Sequence, residues 1–360
     1  MFEAKLQRIW TLALVIYRRG NRVEMSLRSV AVIALVIPLG LDLYITVSAD
    51  NPLTAAPLSA ATIELEQRPS NALVIPLGLD LYMPVPADNP LTAEKIDLGQ
   101  RLFNDRRLSR DGSISCQSCH EPARAFSDGR AAPVGVFGRT GNRNSPALIN
   151  RGYGRTFFWD GRSPSLEDQV LKPIQDPREM DLTLDQAAAR VGLDAVTISR
   201  ALASYVRSIL SGDSPYDRFV NGDRSALSAD EQRGLQVFRG KGDCEVCHAG
   251  PTFSDEELHN TGIAWRPSTR SGQGGALADR GAGQGNFKTP TLREVARTAP
   301  YMHDGSLQTL EGVVDFYDRG GRPNPNIDPE PHPLRLSVEE KQALVAFLKS
   351  LSGTIREGRP

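Results

Sequence analysis

All four cysteines of this chain lie in two copies of one short pattern. Both copies read C-x-x-C-H, and their members are Cys116, Cys119 and His120 in the first and Cys244, Cys247 and His248 in the second. This pattern is the attachment signature for c-type haem, in which two thiols bind the haem edge and the histidine becomes an axial iron ligand. The sequence therefore predicts two covalently bound haem c groups and leaves no cysteine for a disulfide.

A zinc site built from four thiolates is the alternative interpretation of two C-x-x-C pairs. That interpretation gives no role to the histidine that completes each pattern. The repeated histidine, at His120 and at His248, favours haem attachment.

The composition is that of a folded protein large enough for two domains. The chain has 360 residues, of which 40% are hydrophobic and 24% are charged, and this length suits two ordinary globular domains. Its formal net charge is -1 and it has no basic block. Because phosphate binding needs a concentrated positive surface, we expect no nucleic-acid partner.

The N-terminal region has the features of an export signal, which covalent haem attachment outside the cytoplasm requires. In residues 25–49, Arg28 is followed by an apolar run and then by small residues that suit cleavage after Ala49. We predict a periplasmic protein with an export signal in residues 1–49. The alternative is an uncleaved membrane anchor, and Met25 is a second candidate for the start.

A local duplication precedes the first cysteine pattern. The segment VIPLGLDLY at 36–44 recurs at 74–82, and ADNPLTA recurs from Ala49 and from Ala87. Because the second copy contains several prolines, it cannot form a regular helix. We predict that residues 50–90 form an extended N-terminal arm.

A larger repeat organises the rest of the chain. A helical pattern starts before each cysteine pattern, at 91–94 and at 227–230, and the second start has a capping box of Ser228 and Glu231. A second helical pattern closes each half, with apolar residues at helical spacing. The sequence predicts a domain at each of these two positions.

These repeats predict an all-α fold of two fused class I cytochrome c-like domains. The first domain is expected at 91–215 and the second at 216–360. Few segments show the alternation of a strand, and glycine and proline concentrate at 127–145 and 266–290. We therefore expect long irregular loops at these two places.

The order of motifs resembles that of the bacterial dihaem cytochrome c peroxidase and MauG family over residues 74–353. The matching stretches are RLSRDGSISCQSCH, RNSPALIN, FFWDGR, CEVCH and TPTLREVARTAPYMHDGS. The resemblance implies a cytochrome-c peroxidase-type oxidoreductase in which hydrogen peroxide reacts at the first haem. Electrons would be exchanged through the second haem.

The resemblance also bears on the side of the first haem that faces away from His120. Peroxidases of the family often carry a distal histidine eight residues before the asparagine of their R-N-x-P motif. Counting back from Asn144 reaches Val136, which cannot ligate iron. This replacement is consistent with an open iron position that peroxide could use.

Three further residues match the family's distal pocket, and they are Gln169, Pro173 and Glu179. The resemblance implies that Glu179 is the acid and base in cleavage of the oxygen–oxygen bond. It implies that Gln169 positions the peroxide or a water. Trp159 matches the family's tryptophan between the haems, with core packing beside Phe157 as the alternative.

For the second haem, the resemblance places the ligand opposite His248 at Tyr317. Ordinary dihaem peroxidases have methionine there, whereas MauG-like proteins have tyrosine, so the chain is closer to MauG. An anionic phenolate favours ferric or higher states of iron. Met302 and His303 are competing ligands, and we expect His259 and His332 to be surface or loop residues.

The resemblance further implies a calcium ion between the domains, with Asn144, Thr298 and Pro300 as ligands, the last two through their backbone carbonyls. The electron donor would be a small cytochrome c or a cupredoxin, unless the reductant is a residue of a protein substrate. The alternative function is a dihaem electron-transfer cytochrome without turnover, which would have six-coordinate iron at both sites.

Overall fold

The computed structural model describes the backbone of residues 15–19, 22–26 and 43–46 and the full structure of 73–268 and 275–358. The chain divides into two units, 1–66 and 67–360. In the first unit, β1 (Val15–Arg19) pairs antiparallel with β2 (Arg22–Ser26), and β2 pairs parallel with β3 (Leu43–Thr46).

The predicted export signal at 1–49, with cleavage after Ala49, lies largely outside the described residues, and its function stays a prediction. In the described part of the chain, no helix has the length and apolar character needed to cross a membrane.

The second copy of the duplicated segment is irregular in its described part, which begins at residue 73, and the arm predicted at 50–90 stays a prediction. The arm has no regular helix or strand before α1, and it buries Leu79, Met83 and Leu91. The hydrogen bonds that hold it in place include one from Arg293 Nη2 to the Gly78 carbonyl (2.8 Å) and one from the Leu77 backbone N–H to an Asp213 carboxylate oxygen (3.0 Å).

The described helices of the second unit are α1 (Ala93–Phe103), α2 (Leu166–Gln169), α3 (Lys172–Gln175), α4 (Leu184–Val191), α5 (Ala195–Arg207), α6 (Pro215–Val220), α7 (Ala229–Arg239), α8 (Leu310–Asp318) and α9 (Val338–Lys349). Below, the first half means residues 91–215 and the second half means residues 216–360. Helices α1 and α5 pack together in the first half, and α7 packs on α9 in the second. The predicted opening and closing helices are thus present in both halves, and the capping box of Ser228 and Glu231 is confirmed. The domain limits at 91–215 and 216–360 stay predictions.

The two helix pairs make the same close approach through a glycine. A β-carbon on Gly99 of α1 would overlap the carbonyl oxygen of Ala201 in α5, and one on Gly234 of α7 would overlap that of Ala343 in α9. Only glycine allows the two backbones to approach so closely. The structural repeat therefore extends from the helices to the atoms at which they cross.

The prediction of an all-α fold was wrong. The second unit contains β4 (Leu210–Gly212), β5 (Leu258–His259), β6 (Trp265–Pro267), β7 (Gly275–Leu277), β8 (Phe287–Lys288) and β9 (Thr354–Arg356). They form three antiparallel pairs, β4 with β9, β5 with β8 and β6 with β7. Strands of two or three residues are too short to show alternation between apolar and polar residues.

Three hydrophobic clusters occur among the described residues. One lies in the arm and the first half and includes Ile96 and Leu202; another lies in the second half and includes Phe238 and Phe347. The third contains Phe287 and Phe316 of the second half, with Trp159 of the first half packed against them. This third cluster joins the two halves.

Candidate haem-binding site

The first cysteine pattern lies on a short 3-10 turn, Cys116–Ser118, that presents its histidine at a cavity wall. The His120 backbone N–H donates to the Cys116 carbonyl at 3.0 Å, and His120 Nδ1 lies 3.0 Å from the Phe126 carbonyl oxygen. With Nδ1 as the donor, Nε2 is the nitrogen available to a metal. Burial lowers the pKa of His120 and so favours the neutral, ligating form.

The second pattern repeats this arrangement on the turn Cys244–Val246. The His248 backbone N–H donates to the Cys244 carbonyl at 2.9 Å, and Nδ1 lies 2.9 Å from the Phe253 carbonyl oxygen. Burial also lowers the pKa of His248. The same tautomer is thus favoured at both histidines.

One cavity of about 1080 Å³ is lined by both patterns. Its wall includes Cys119, His120, Cys244, Cys247 and His248. This volume exceeds the range of about 300–1,000 Å³ for a pocket that holds one small molecule. The four cysteines form no disulfide in the described structure, and they do not gather there into a cluster that could hold one metal ion. The residues fit two attached haems and do not fit a four-thiolate zinc site.

The residues predicted for the distal pocket of the first haem also line this cavity. Gln169 ends α2, Pro173 lies in α3, and Glu179 follows α3. Burial, reinforced by the charge of Asp176, raises the pKa of Glu179 to about 7. Val136 is fully buried, and its backbone N–H donates to the Glu179 carbonyl at 2.9 Å. The structure brings Val136 and Glu179 together.

Trp159 lies in the cavity wall and is bonded at two positions. Its Nε1 donates to the Asn144 carbonyl at 2.8 Å, and its own carbonyl accepts the Lys288 backbone N–H at 2.7 Å. Its side chain packs with the cluster that includes Phe287 and Phe316. Trp159 therefore contacts residues of both halves.

All three candidate ligands for the second haem line the cavity, namely Tyr317, Met302 and His303. Tyr317 packs edge to face on Phe316, with 5.3 Å between the ring centroids, and burial raises its pKa. His303 stacks on Phe287 at 3.7 Å and 12°. The stack holds the His303 ring in place.

The predicted calcium ligands Asn144, Thr298 and Pro300 line the same cavity. The Asn144 side-chain nitrogen donates to the Arg130 carbonyl at 2.6 Å, which leaves its amide oxygen as the atom available to a cation. The Thr298 hydroxyl donates to the Val295 carbonyl at 3.2 Å, so the hydroxyl is already engaged.

His259 and His332 were expected to be surface or loop residues, and both line the cavity. His259 is half-buried between two carboxylates, with Nε2 2.9 Å from Asp255 and Nδ1 3.0 Å from Asp328. His332 is exposed, and its Nδ1 lies 2.7 Å from the Glu330 carbonyl oxygen. The position of these two rings at the cavity wall could not be predicted, because a lone histidine carries no local sequence pattern.

Sequence reasoning missed a buried charged group in the cavity wall. Arg151 forms a bidentate ion pair with Glu256, and Lys288 lies 3.2 Å from the same carboxylate. The two pairs join residues that are far apart in the chain. A single lysine or arginine in a loop gives no sequence signal of such contacts.

Two histidine-bearing attachment turns on one large cavity define a c-type cytochrome that binds two haems. The chain belongs to the di-haem cytochrome c peroxidase and MauG family, and it is an oxidoreductase with two c-type haems. The family model for di-haem cytochrome c peroxidase matches residues 93–196.

The chain is 38% identical over 277 residues to the methylamine utilization protein MauG of Methylorubrum extorquens, covering 72% of this chain and 78% of the relative. It is 36% identical over 304 residues to the cytochrome-c peroxidase IdrP2 of Denitromonas iodatirespirans, covering 72% and 82%. Among solved structures, a MauG-like protein associated with microbial copper homeostasis superposes with a TM-score of 0.67 at 32% identity, covering 75% of this chain and 93% of that one.

Proposed function

We propose that this protein is a MauG-like dihaem enzyme of the periplasm, in which peroxide reacts beside His120 and electrons are exchanged on the side of His248. The observation that carries the proposal is the half-buried carboxyl group of Glu179, with its raised pKa, in the cavity that His120 also lines. Bound haem would supply iron that exchanges electrons with peroxide. The side chains of the protein would supply proton transfer, positioning and an electron path.

Glu179 is the proposed acid and base. Its carboxylate would take the proton from one peroxide oxygen and return it to the leaving oxygen. A pKa of about 7 suits this role, because such a group can both accept a proton and release it again near neutral pH.

Gln169, Pro173 and Val136 would shape the space around the peroxide. The Gln169 amide can donate to an oxygen of peroxide or water, and Pro173 adds an apolar surface. Val136 is buried and has no atom that binds iron. This set favours an open position for peroxide over a second protein ligand.

Trp159 is the proposed electron path, since its indole contacts residues of both halves. Tyr317 is the proposed second ligand opposite His248. A nearby iron cation would favour the phenolate of Tyr317 against the effect of burial. Met302 and His303 are the alternatives for this ligand position.

A calcium ion held by Asn144, Thr298 and Pro300 would connect the halves near Trp159. The support is that all three line one cavity and that the Asn144 carbonyl accepts the indole N–H. Oxygen ligands of this kind suit calcium.

The proposed partners follow from the exported location. A small cytochrome c or cupredoxin would donate electrons, or a residue of a protein substrate would be oxidised. Residues 1–49 would direct export. If they are not cleaved, they would instead anchor the enzyme to the membrane.

The test is the Glu179→Gln variant of the two-haem protein, mixed with one equivalent of peroxide and followed by stopped-flow absorption. We expect the reaction to slow by about 10²–10⁴-fold, the usual contribution of an acid–base group. Glu339→Gln changes an exposed glutamate of α9 in the same way and should react at the wild-type rate. An unchanged rate in Glu179→Gln would favour the electron carrier.

A further inference from the structure

Arg151, Glu256 and Lys288 form a buried cluster that the haem ligands do not explain. Arg151 donates to the two carboxylate oxygens of Glu256 at 2.7 and 3.0 Å, and Lys288 Nζ lies 3.2 Å from Glu256 Oε2. The exposed fractions of the three side chains are 11%, 7% and 7%. The cluster has two cations and one carboxylate, so it carries one excess positive charge.

The other nearby carboxylates are paired with other side chains. Asp255 is paired with the imidazole of His259 at 2.9 Å, and His259 also contacts Asp328. The Arg155 side chain adds a further cation and pairs with exposed Glu257 at 3.1 Å. Among the described residues, Glu256 is therefore the one carboxylate recorded in contact with Lys288, and Asp255 acts on Lys288 only through its charge at longer range.

A buried cation that has only a shared carboxylate beside it is unfavourable. The cost is visible at Lys288, where burial and then the charge of Arg151 lower the pKa to about 7. A further anion beside Lys288 would remove this cost and hold the lysine in its charged form.

The backbone fixes both cations at the cavity wall. Lys288 lies in β8, and its N–H is bonded to the Trp159 carbonyl at 2.7 Å. Arg151 lies on the turn Arg151–Tyr153 and also donates to the Thr156 carbonyl at 3.1 Å. Both side chains line the cavity shared by the two attachment patterns. Their charge thus faces the space in which the haems bind.

We propose that Lys288, supported by Arg151, binds a carboxylate inside the cavity, namely a propionate side chain of one of the two haems. An ammonium group has three donors, and Glu256 accounts for one described contact of Lys288. A propionate would add a second carboxylate in contact with Lys288 and would fix the orientation of the haem edge. A small free anion such as chloride has the same charge, so the test must separate the two sources.

The experiment measures the reduction potentials of both haems in the two-haem protein by spectroelectrochemistry, at low and at high chloride concentration. Lys288→Met removes a positive charge. This removal favours the oxidised form of the nearby haem, so we expect one of the two potentials to fall. Lys288→Arg should keep that potential near the wild-type value. Glu256→Gln removes a negative charge and should raise the same potential. Chloride should change none of these shifts.

Lys349→Met is the matched control, because it removes an exposed lysine in α9 and should leave both potentials unchanged. If Lys288→Met retains two haems and both potentials are unchanged, the cluster is a structural ion pair and the proposal is wrong. If the shift depends on chloride, a free anion occupies the site and the propionate assignment is wrong. If Lys288→Met fails to fold, Glu256→Gln decides, and an unchanged potential there overturns the proposal.

Discussion

The indole N–H of Trp159 donates a 2.8 Å hydrogen bond to the backbone carbonyl of Asn144. The Asn144 backbone N–H in turn donates to the carbonyl of His303 at 2.7 Å. Asn144 therefore links the tryptophan of the first half to a segment of the second. This link holds the indole in one orientation in the wall of the cavity.

Trp159→Phe should slow electron exchange between the two haems. The variant removes the readily oxidised indole and leaves a carbonyl acceptor without its donor, at a cost of about 1–3 kcal/mol in stability. We expect the spectral change of the second haem after peroxide addition to slow at least about tenfold, equivalent to a barrier increase of about 1.4 kcal/mol. Rapid-mixing absorption measures it.

Trp265→Phe is the control for that experiment, because the Trp265 indole N–H has no hydrogen-bond partner within the described structure. The same substitution there should leave exchange unchanged. If electron exchange is equally fast in Trp159→Phe and in the wild type, Trp159 serves only in packing.

The peroxide reaction should depend on pH through Glu179. Because burial raises the pKa of this group to about 7, its deprotonated form becomes dominant above that pH. A base acts in the deprotonated form, so the rate should rise with pH up to about 7 and then level off. Asp185→Asn, at an exposed position of α4, should keep the profile. A profile that persists in Glu179→Gln would assign the titration to another group.

The attachment residues and the helix pairs could be predicted because each has a local signal. A C-x-x-C-H pattern needs five consecutive residues, and Ser228 and Glu231 cap α7 within one turn. The Gln169 and Glu179 positions required the family resemblance, since neither differs from an ordinary surface residue by its own sequence context.

The strands and the buried charges could not be predicted, since both arise from contacts between distant segments. The ladder of β5 with β8 has two residue pairs, Leu258 with Lys288 and His259 with Phe287. Too few residues take part to produce a period of two. Arg151 and Glu256 are 105 positions apart in the chain, so their contact leaves no local pattern in the sequence.

Tyr317→Met should raise the reduction potential of the second haem. A thioether favours ferrous iron, whereas a phenolate favours ferric iron. Tyr301→Phe is the control, because Tyr301 also lines the cavity but donates to the Val295 carbonyl at 3.0 Å. Spectroelectrochemistry measures the potentials. No change in potential or spectrum would remove Tyr317 as the ligand and direct the same test to Met302 and His303.

Removal of calcium should disturb the region around Trp159. Chelation would free Asn144, whose carbonyl accepts the indole N–H, so we expect altered tryptophan fluorescence and slower electron exchange. Adding back Ca²⁺ should restore both signals, and Asn144→Ala should reproduce the chelated state. A metal analysis that finds no calcium in the purified protein would contradict the proposed site.

Gly234→Ala should destabilise the second half of the protein. The added methyl group would overlap the carbonyl oxygen of Ala343, so α7 and α9 would have to separate. We expect a loss of about 1–3 kcal/mol in the free energy of unfolding, the usual cost of overpacking. Gly312→Ala is the matched control in α8, because its methyl group would meet only the Thr309 hydroxyl oxygen at 3.5 Å.

The control should gain up to about 1 kcal/mol, since alanine favours a helix more than glycine does. Chemical denaturation of the two-haem proteins measures both changes. The two variants add the same methyl group in a helix, so opposite signs would isolate the close approach of α7 and α9. Equal stabilisation by both would mean that the helices can separate without cost and that Gly234 is not required for the crossing.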